Sequence, residues 1–411
     1  MSPKQLIERL RNFESYNIVG RLRKAIQFTD EPKFPQWFCE PSPSRKKILE
    51  EQYGSSLALN EQTAKIKSIA EAVERYCSET IDKKRVIRSS YLELNDNAVD
   101  PAEFINYSDS LLKNRKEEYI NKIRKTKIRW INGKHLNSKK EVLIPAQLVY
   151  SPFDISKEPL IRTPISTGAA FGTDKKSALE RGLLEIIERD SFMLSWLTKS
   201  NPPIINLNSK FKDLKEYFER YLLQPYVFDI TSDLNIPVMM GLILDKTGVG
   251  PTVSVGLKSS LDPADAILGS LLEAQHVRGW IRFSFLKEDR PHVNGPQKII
   301  DLKTRGYYWY PIDSIRKLDF LLDSSKTKDI QKKKDILKGK SLSQYLIDSG
   351  FDVYSVDIST PEVKNEGFVT LKTIVPQLHP LSLDEDMPYD FSKRLSKYKI
   401  KEINKTPHPF L

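Results

Sequence analysis

The chain has 411 residues, a formal net charge of +11, 39% hydrophobic and 29% charged residues, a balance that excludes collagenous, disordered and membrane-embedded classes and describes a globular protein. Two cysteines, Cys39 and Cys77, exclude a disulfide framework and a Cys-based zinc site. The longest apolar run, Pro237–Leu244, is too short to span a bilayer, and the N-terminus lacks the apolar core of a signal peptide, so no membrane association and a cytoplasmic location are expected.

In chain order, residues 3–28 carry helical spacing at Leu6, Leu10 and Phe13, and break at a Pro- and aromatic-rich loop over 34–43. A helix is predicted over 60–78, and a basic helix or loop over 110–127. Two strands, 127–131 and 142–150, flank a turn at Asn132-Gly133. The small-residue stretch Gly168-Ala-Ala-Phe-Gly172 precedes a helix over 174–198 and offers backbone N–H groups to a phosphate. A helix at 209–223 is followed by strands at 226–231, 237–244 and 252–257. A third long helix starts at Asp262 with Pro263 in its first turn, where a missing N–H is tolerated. Residues 324–340 read as an exposed lysine-rich insertion, and 351–358 and 369–375 as strands. The chain ends in Thr406-Pro-His-Pro-Phe-Leu411. Helices and strands interspersed without a linker predict an α/β (α+β) fold with mixed sheets. The basic charge suits an anionic partner, but no aromatic-interleaved RNA-binding motif accompanies it, so nucleic acid is not expected.

Three of these helices are copies of one design. Residues 60–75, 174–190 and 262–278 each begin with a capping residue (Asn60, Asp174, Asp262) and continue with an alanine (Ala64, Ala178, Ala266). A small residue (Ser68, Gly182, Ser270) and a glutamate (Glu71, Glu185, Glu273) then follow at fixed offsets. The first two copies contain Glu-x-x-Glu-Arg: Glu71, Glu74, Arg75 and Glu185, Glu188, Arg189. The third reads Glu273-Ala-Gln275-His276-Val-Arg278. Residues at i, i+3 and i+4 share a helix face, so packing the three helices together would converge five glutamates and the arginines on one cavity, with the small residues leaving room for a ligand. Converging carboxylates need cations or protons. Mg²⁺ bridges carboxylates to phosphates and arginines hold phosphate oxygens, so the constellation predicts a metal–nucleotide site. No P-loop or Gly-x-Gly-x-x-Gly motif competes with it.

The segments Ser68-x-x-Glu-Ala-Val-Glu-Arg-Tyr76, Ser166-x-Gly-x-Ala-x-Gly172 with Leu184-Glu-x-x-Glu-Arg-Asp190, and Ala266-x-x-x-Ser-Leu-Leu-Glu-Ala-x-x-x-Arg278 resemble the ATP-binding motifs of the YcaO superfamily. Trp130, the stretch Pro145–Tyr150, Val356–Pro361 and Ile374–Pro380 extend the likeness. The resemblance implies one YcaO-type catalytic domain over 1–411: a lead-in over 1–50, an ATP-binding core over 51–405 and a Pro-rich tail over 406–411. It implies ATP and Mg²⁺ as cofactors. Ser68, Glu71, Glu74, Arg75, Glu185, Glu188, Arg189, Glu273, His276 and Arg278 become the nucleotide-site residues, with Glu71, Glu74, Glu185 and Glu188 as Mg²⁺ ligands. His276 stands where the family often has Gln. In the azoline-forming branch, the enzyme phosphorylates a backbone amide oxygen of a ribosomally made precursor peptide, so that a Cys, Ser or Thr side chain closes to a thiazoline or oxazoline. The tail, with Pro407, Pro409 and Leu411, would then reach the catalytic centre. Implied partners are the precursor peptide, an E1-like or leader-recognition protein, an FMN-dependent azoline dehydrogenase acting afterwards, and a second copy in a homodimer. Thioamide or amidine formation within the same superfamily, and a non-catalytic nucleotide-binding scaffold, are the alternative readings.

Overall fold

The computed structural model describes residues 2–43, 54–288, 298–299, 301–324, 326–330, 332, 334–398, 400 and 402–411. Their strands form three sheets. One has the order β1 (Val19–Lys24), β2 (Gln36–Pro41), β3 (Gly54–Leu57). A second runs β4 (Val86–Ser89), β5 (Ile128–His135), β13 (Tyr354–Asp357), β14 (Val369–Ile374), β7 (Ala169–Gly172), with β6 (Lys140–Pro145) also on β5. The third runs β11 (Val253–Ser259), β10 (Val238–Asp245), β9 (Leu223–Asp229), β8 (Ile204–Ile205), β12 (Thr327–Lys328).

The three repeat helices are Glu61–Glu79, Lys175–Leu197 and Pro263–Lys287. Each is capped as its sequence predicts: Asn60, Asp174 and Asp262 accept from the backbone N–H of Thr63, Ser177 and Ala264, satisfying donors that a helix start leaves unpaired. Each helix follows directly on a strand, β3, β7 or β11, and among the described residues each of those strands is the edge of its sheet. The repeat is therefore an edge strand plus a helix, used once per sheet.

The small residue of each helix has a different purpose from the one its position suggests. A Cβ on Gly54 would stand 1.9 Å from the Ser68 carbonyl oxygen, one on Gly182 2.7 Å from the Gly168 carbonyl oxygen, and one on Gly256 2.4 Å from the Ser270 carbonyl oxygen. Gly54, Gly182 and Gly256 thus let helix and strand backbone close on one another, at Ser68 and Ser270 through a glycine on the strand and at Gly182 through a glycine on the helix, so these positions face the sheet rather than a ligand.

Four further expectations are corrected. The helix predicted over 3–28 ends at Arg11 with a 3-10 turn at Asn12–Glu14, and Val19–Lys24 is strand β1. The expected Pro/aromatic loop contains β2, which pairs with β1 and β3, so the lead-in completes the first sheet. Asn132-Gly133 lies inside β5, opposite Leu143 and Val142, and the reversal falls at Leu136–Lys139; a Cβ on Gly133 would meet Ile144 at 2.6 Å, so close packing against the partner strand selects this glycine. Within the lysine-rich 324–340 segment, Thr327–Lys328 pairs in parallel with Ile204–Ile205, and Ile336 and Leu337 pack on the core.

Candidate active site

The glutamates of the three helices converge where the three sheet edges meet. An edge strand presents unpaired N–H groups, and the glutamates supply their acceptors. The first glutamate of each copy bonds at its own strand: Glu71 Oε2 accepts from Ser55 N at 2.7 Å, Glu185 Oε2 from Gly168 N at 2.9 Å, and Glu273 Oε2 from Leu257 N at 2.6 Å. The residue three positions on reaches the strand of the next copy. Glu74 Oε2 accepts from Phe171 N in β7 at 3.0 Å, and Glu188 Oε2 from Ser259 N in β11 at 2.6 Å. His276 closes the cycle, with its Nε2 2.5 Å from Ser55 Oγ in β3. Three copies therefore form a closed ring of five carboxylates and one imidazole, in which one oxygen of every carboxylate is committed to the backbone.

The second oxygens meet arginines or nothing. Arg75 Nη2 lies 2.7 Å from Glu71 Oε1, and Arg189 lies 3.5 Å from Glu185 Oε1 and 3.2 Å from Glu188 Oε1. Arg189, largely buried, leaves its Nε without a hydrogen-bond partner. Burial, then the Glu185 charge, pushes the Glu74 carboxyl up to about 8. Burial, then Glu188, pushes Glu273 up to about 7. Arg189, desolvated but facing Glu188, Glu185 and Glu273, is held above its ordinary value. Loss of hydration keeps His276 below its usual range, with the Glu71 charge opposing, so the imidazole is neutral and Ser55 holds it by a neutral hydrogen bond. The ring thus carries more carboxylate than its own cations neutralise. A divalent ion and polyphosphate would complete such a site.

Among the described residues no three His, Cys, Asp or Glu side chains stand close enough to hold a metal by themselves. The four-glutamate metal set is therefore not preassembled as a cage. That fits Mg²⁺, which is held by one or two carboxylates together with substrate phosphates and water.

Not every expected residue arrives at the ring. Ser68 is fully buried and its Oγ bonds back to the Lys65 carbonyl oxygen at 2.9 Å. Arg278, 2% exposed, points away, with Nε bonded to Glu31 at 2.9 Å, Nη2 to Asp245 at 2.7 Å and Nη1 to the Pro251 carbonyl at 2.7 Å. It stands five residues after Glu273, a different helix face from that used by Arg75 and Arg189, which follow their glutamates by four. Gln275 and Arg282 also bond Glu31, so this group ties the lead-in to the third helix. The tail, expected to reach the catalytic centre, is packed inside the protein. His408, Pro409 and Phe410 are buried, the Trp196 indole N–H donates to the Thr406 carbonyl at 2.8 Å, and Leu411 packs beside Ile281 and Tyr307. Phe410 places its ring 4.1 Å from the Arg189 guanidinium carbon, which brings the tail to the ring's central arginine.

Several cations escaped sequence reasoning. Lys67 and Arg181 precede the first glutamates of their copies by four residues, an alignment visible in the repeat. The third copy has Gly269 there, and the Lys258 side chain lies over it, 2.6 Å from where a Cβ would stand. Loss of hydration, then the charge of Lys258, lowers Lys67, with Glu273 opposing and Arg181 adding to the effect. Lys372 on β14 is buried and donates to the Ile165 and Thr167 carbonyls at 2.8 and 2.7 Å. Desolvation pulls it down to about 8 against the charges of Glu185 and Glu74.

The sequence profile of the YcaO cyclodehydratases, described as ATP- and Mg²⁺-binding, matches residues 57–379. The chain belongs to the YcaO family. Solved structures with this YcaO fold include a heterocyclase in complex with substrate and cofactor, 19% identical with a TM-score of 0.76, matched over 100% of this chain and 57% of that one. The present chain thus spans a little over half of that heterocyclase. YcaO from Methanopyrus kandleri bound with AMPPCP and Mg²⁺ is 17% identical with a TM-score of 0.69, over 96% and 95% of the two chains. A chain of the E. coli microcin synthetase McbBCD complex with pro-MccB17 bound is 18% identical with a TM-score of 0.66, over 94% and 95%. No helix among the described residues is long and apolar enough to cross a membrane.

Proposed function

We propose that this YcaO protein is an ATP- and Mg²⁺-dependent peptide cyclodehydratase that converts Cys, Ser or Thr of a ribosomally made precursor peptide to thiazoline or oxazoline. The observation that supports it is the ring: five carboxylates from three copies of one helix, two with carboxyls raised to about 8 and about 7, beside a buried arginine with an unpartnered Nε. Mg·ATP, when bound, supplies the phosphoryl group that turns a peptide carbonyl oxygen into a leaving group. In balance, the substrate side chain adds to the preceding carbonyl carbon, that oxygen departs as phosphate, and the peptide loses one water while ATP becomes ADP and phosphate.

The residues divide the work by position. Glu71, Glu74, Glu185 and Glu188 would hold Mg²⁺ through the oxygens not committed to backbone. Arg75 and Arg189 would hold the phosphate oxygens, while Glu273 and His276 close the ring on the third helix. Ser68 and Arg278 serve the frame, by helix-on-strand packing and by anchoring the lead-in. Pro407, Pro409 and Leu411 carry the tail that seats Phe410 on Arg189, which makes this segment the candidate for shaping the substrate side of the ring. The microcin synthetase complex, solved with pro-MccB17 bound, supports delivery of the peptide by a leader-recognition or E1-like partner. An FMN-dependent dehydrogenase would act on the azoline afterwards.

Mass spectrometry of the cognate small peptide after incubation with this protein, its partner, ATP and Mg²⁺ tests the reading. Loss of one water per modified residue is expected. Exchange of oxygen for sulfur would move the assignment to thioamide formation, and an unchanged mass with full nucleotide binding would favour a scaffold.

A further inference from the structure

One helical turn before the first glutamate of each copy, and on the same helix face, the repeat carries a second set of charges. Lys67 precedes Glu71 by four residues and Arg181 precedes Glu185 by four. The third copy has Gly269 at this place, and the stem of Lys258 fills it, its Cγ 2.6 Å from where a Gly269 Cβ would stand. Each copy therefore contributes one cation at one level, the third from its strand instead of its helix. All three residues are exposed.

The strand edges tie these cations to the carboxylate ring. Phe171 donates its N–H to Glu74 Oε2 at 3.0 Å, and its carbonyl accepts from Arg181 Nη1 at 3.0 Å, so one residue of β7 holds the carboxylate and the guanidinium side by side. Lys258 lies between Leu257 and Ser259, the two residues of β11 whose N–H groups hold Glu273 and Glu188. Arg75 and Arg189, four residues after their glutamates, are ion-paired with them. Among the described residues Lys67, Arg181 and Lys258 pair with no carboxylate. Loss of hydration acts most on the Lys67 ammonium, and next the charge of Lys258, which outweighs the opposing charge of Glu273, while Arg181 adds to the repulsion. The three cations thus form a collar that is positive in balance, beside a ring that is itself short of cations. Like charges gathered in this way need an opposite charge between them, and an anion that also carries a metal ion to the carboxylates answers both needs.

We propose that Lys67, Arg181 and Lys258 are specificity-determining residues of the nucleotide site, a collar that takes the phosphate chain and makes affinity rise with the number of phosphates. Two ammonium groups and one guanidinium suit a flexible, multiply charged chain, since lysine acts as a mobile point charge and arginine as a fixed fork. The collar rests on the nucleotide site of the proposed reaction and not on what receives the phosphoryl group, so it and the cyclodehydratase reading can fail independently.

The test is calorimetry with Mg²⁺ present, titrating AMPPCP and ADP directly and AMP by competition, on the full chain and on Lys67→Met, Arg181→Met and Lys258→Met. The side chains are exposed, so the variants are expected to melt near the parent temperature. Each is expected to bind AMPPCP at least tenfold more weakly, ADP less severely affected and AMP within twofold of the parent. Lys67→Arg keeps the charge and restores most of the affinity. Lys212→Met, which removes an exposed lysine on another helix, leaves all three affinities unchanged. AMPPCP affinity within twofold of the parent in all three variants would overturn the proposal, and so would equal losses for AMPPCP and AMP, which would mark a disturbed fold rather than a count of phosphates. A parent that binds no AMPPCP would remove the collar together with the nucleotide site. Collar-dependent AMPPCP binding by a protein that leaves its peptide unmodified would uphold the collar and remove the cyclodehydratase reading alone.

Discussion

Replacing Glu74 by glutamine isolates the charge surplus of the ring. The glutamine side-chain oxygen can still accept from Phe171 N, so the contact at 3.0 Å survives and only the ionisable proton is removed. In the folded protein the Glu74 carboxyl is raised from 4.5 to about 8, so between those values the folded state binds a proton that the unfolded state has released. Stability from this group is full below about 4.5 and is lost as pH rises towards 8. The whole shift corresponds to about 5 kcal/mol at ~1.4 kcal/mol per unit; Glu74 is still partly accessible, and solvent screening reduces this to about 2–3 kcal/mol. Urea denaturation of nucleotide-free protein at pH 5.5 and 8.5 measures it. Glu74→Gln is expected to gain about 2–3 kcal/mol relative to the parent on going to the higher pH, other titrating groups cancelling in the difference. Mg·AMPPCP should offset the loss in the parent and not in the variant. Parallel pH profiles for the two proteins would refute the argument that this carboxylate is held short of a cation.

Three further outcomes follow from the packing. Arg278→Met leaves Asp245 buried without its arginine, Glu31 keeping Arg282 and Gln275, and is expected to cost about 3–5 kcal/mol in urea melts with AMPPCP affinity unchanged, whereas Arg189→Met should lower AMPPCP affinity at least tenfold by calorimetry. Gly256→Ala puts a methyl 2.3 Å from the Ala274 nitrogen and should lower the melting temperature by more than 5 °C, since backbone cannot yield as a side chain does. Removing 407–411 uncovers Phe192 and Arg189 and should abolish peptide modification with AMPPCP binding retained within a few-fold; intact modification would remove the tail from the mechanism.

The site was legible because its residues recur. A cap, a small residue and Glu-x-x-Glu at fixed offsets on a helix define one face whatever the tertiary context, so Glu71, Glu74, Glu185, Glu188 and Glu273 could be placed together before any packing was known. Arg278 broke that logic by one residue: five positions past the glutamate is a different face, and there the buried Glu31 claims it. Lys372 left no local trace. It reaches Glu185 and Glu74 from a strand that pairs with β7, a long-range adjacency that no spacing encodes. The lead-in misled for a related reason. Val19–Lys24 has a pattern compatible with helix, and its strand form is imposed by pairing with Gln36–Pro41. Asn132-Gly133 carried a turn signature, yet the space at Gly133 is needed by Ile144 across the sheet, so tertiary packing selected the glycine rather than the turn.

His276 is where the threefold repeat departs from itself, and two accounts of it predict different chemistry. If His276 only closes the ring by bonding Ser55 at 2.5 Å, then His276→Gln, which can make the same neutral bond, should leave both the fold and Mg·AMPPCP binding nearly intact. If instead the neutral side chain limits the negative charge of the ring, the informative change is His276→Glu. A sixth carboxylate would stand near Glu71, whose charge already acts on this position, and like charges in one partly buried site disfavour ionisation. His276→Glu is then expected to melt close to the parent at pH 5.5, where the new carboxyl keeps its proton, and several degrees lower at pH 8.5. At pH 8.5 the thermal stabilisation by Mg·AMPPCP should be larger than the parent's, because the cation relieves more repulsion. A variant equally stable at both pH values, with the parent's Mg²⁺ dependence, would show that the edge between the third helix and β3 lies outside the electrostatic reach of the site, and the ring would be closed in hydrogen bonds but open in charge.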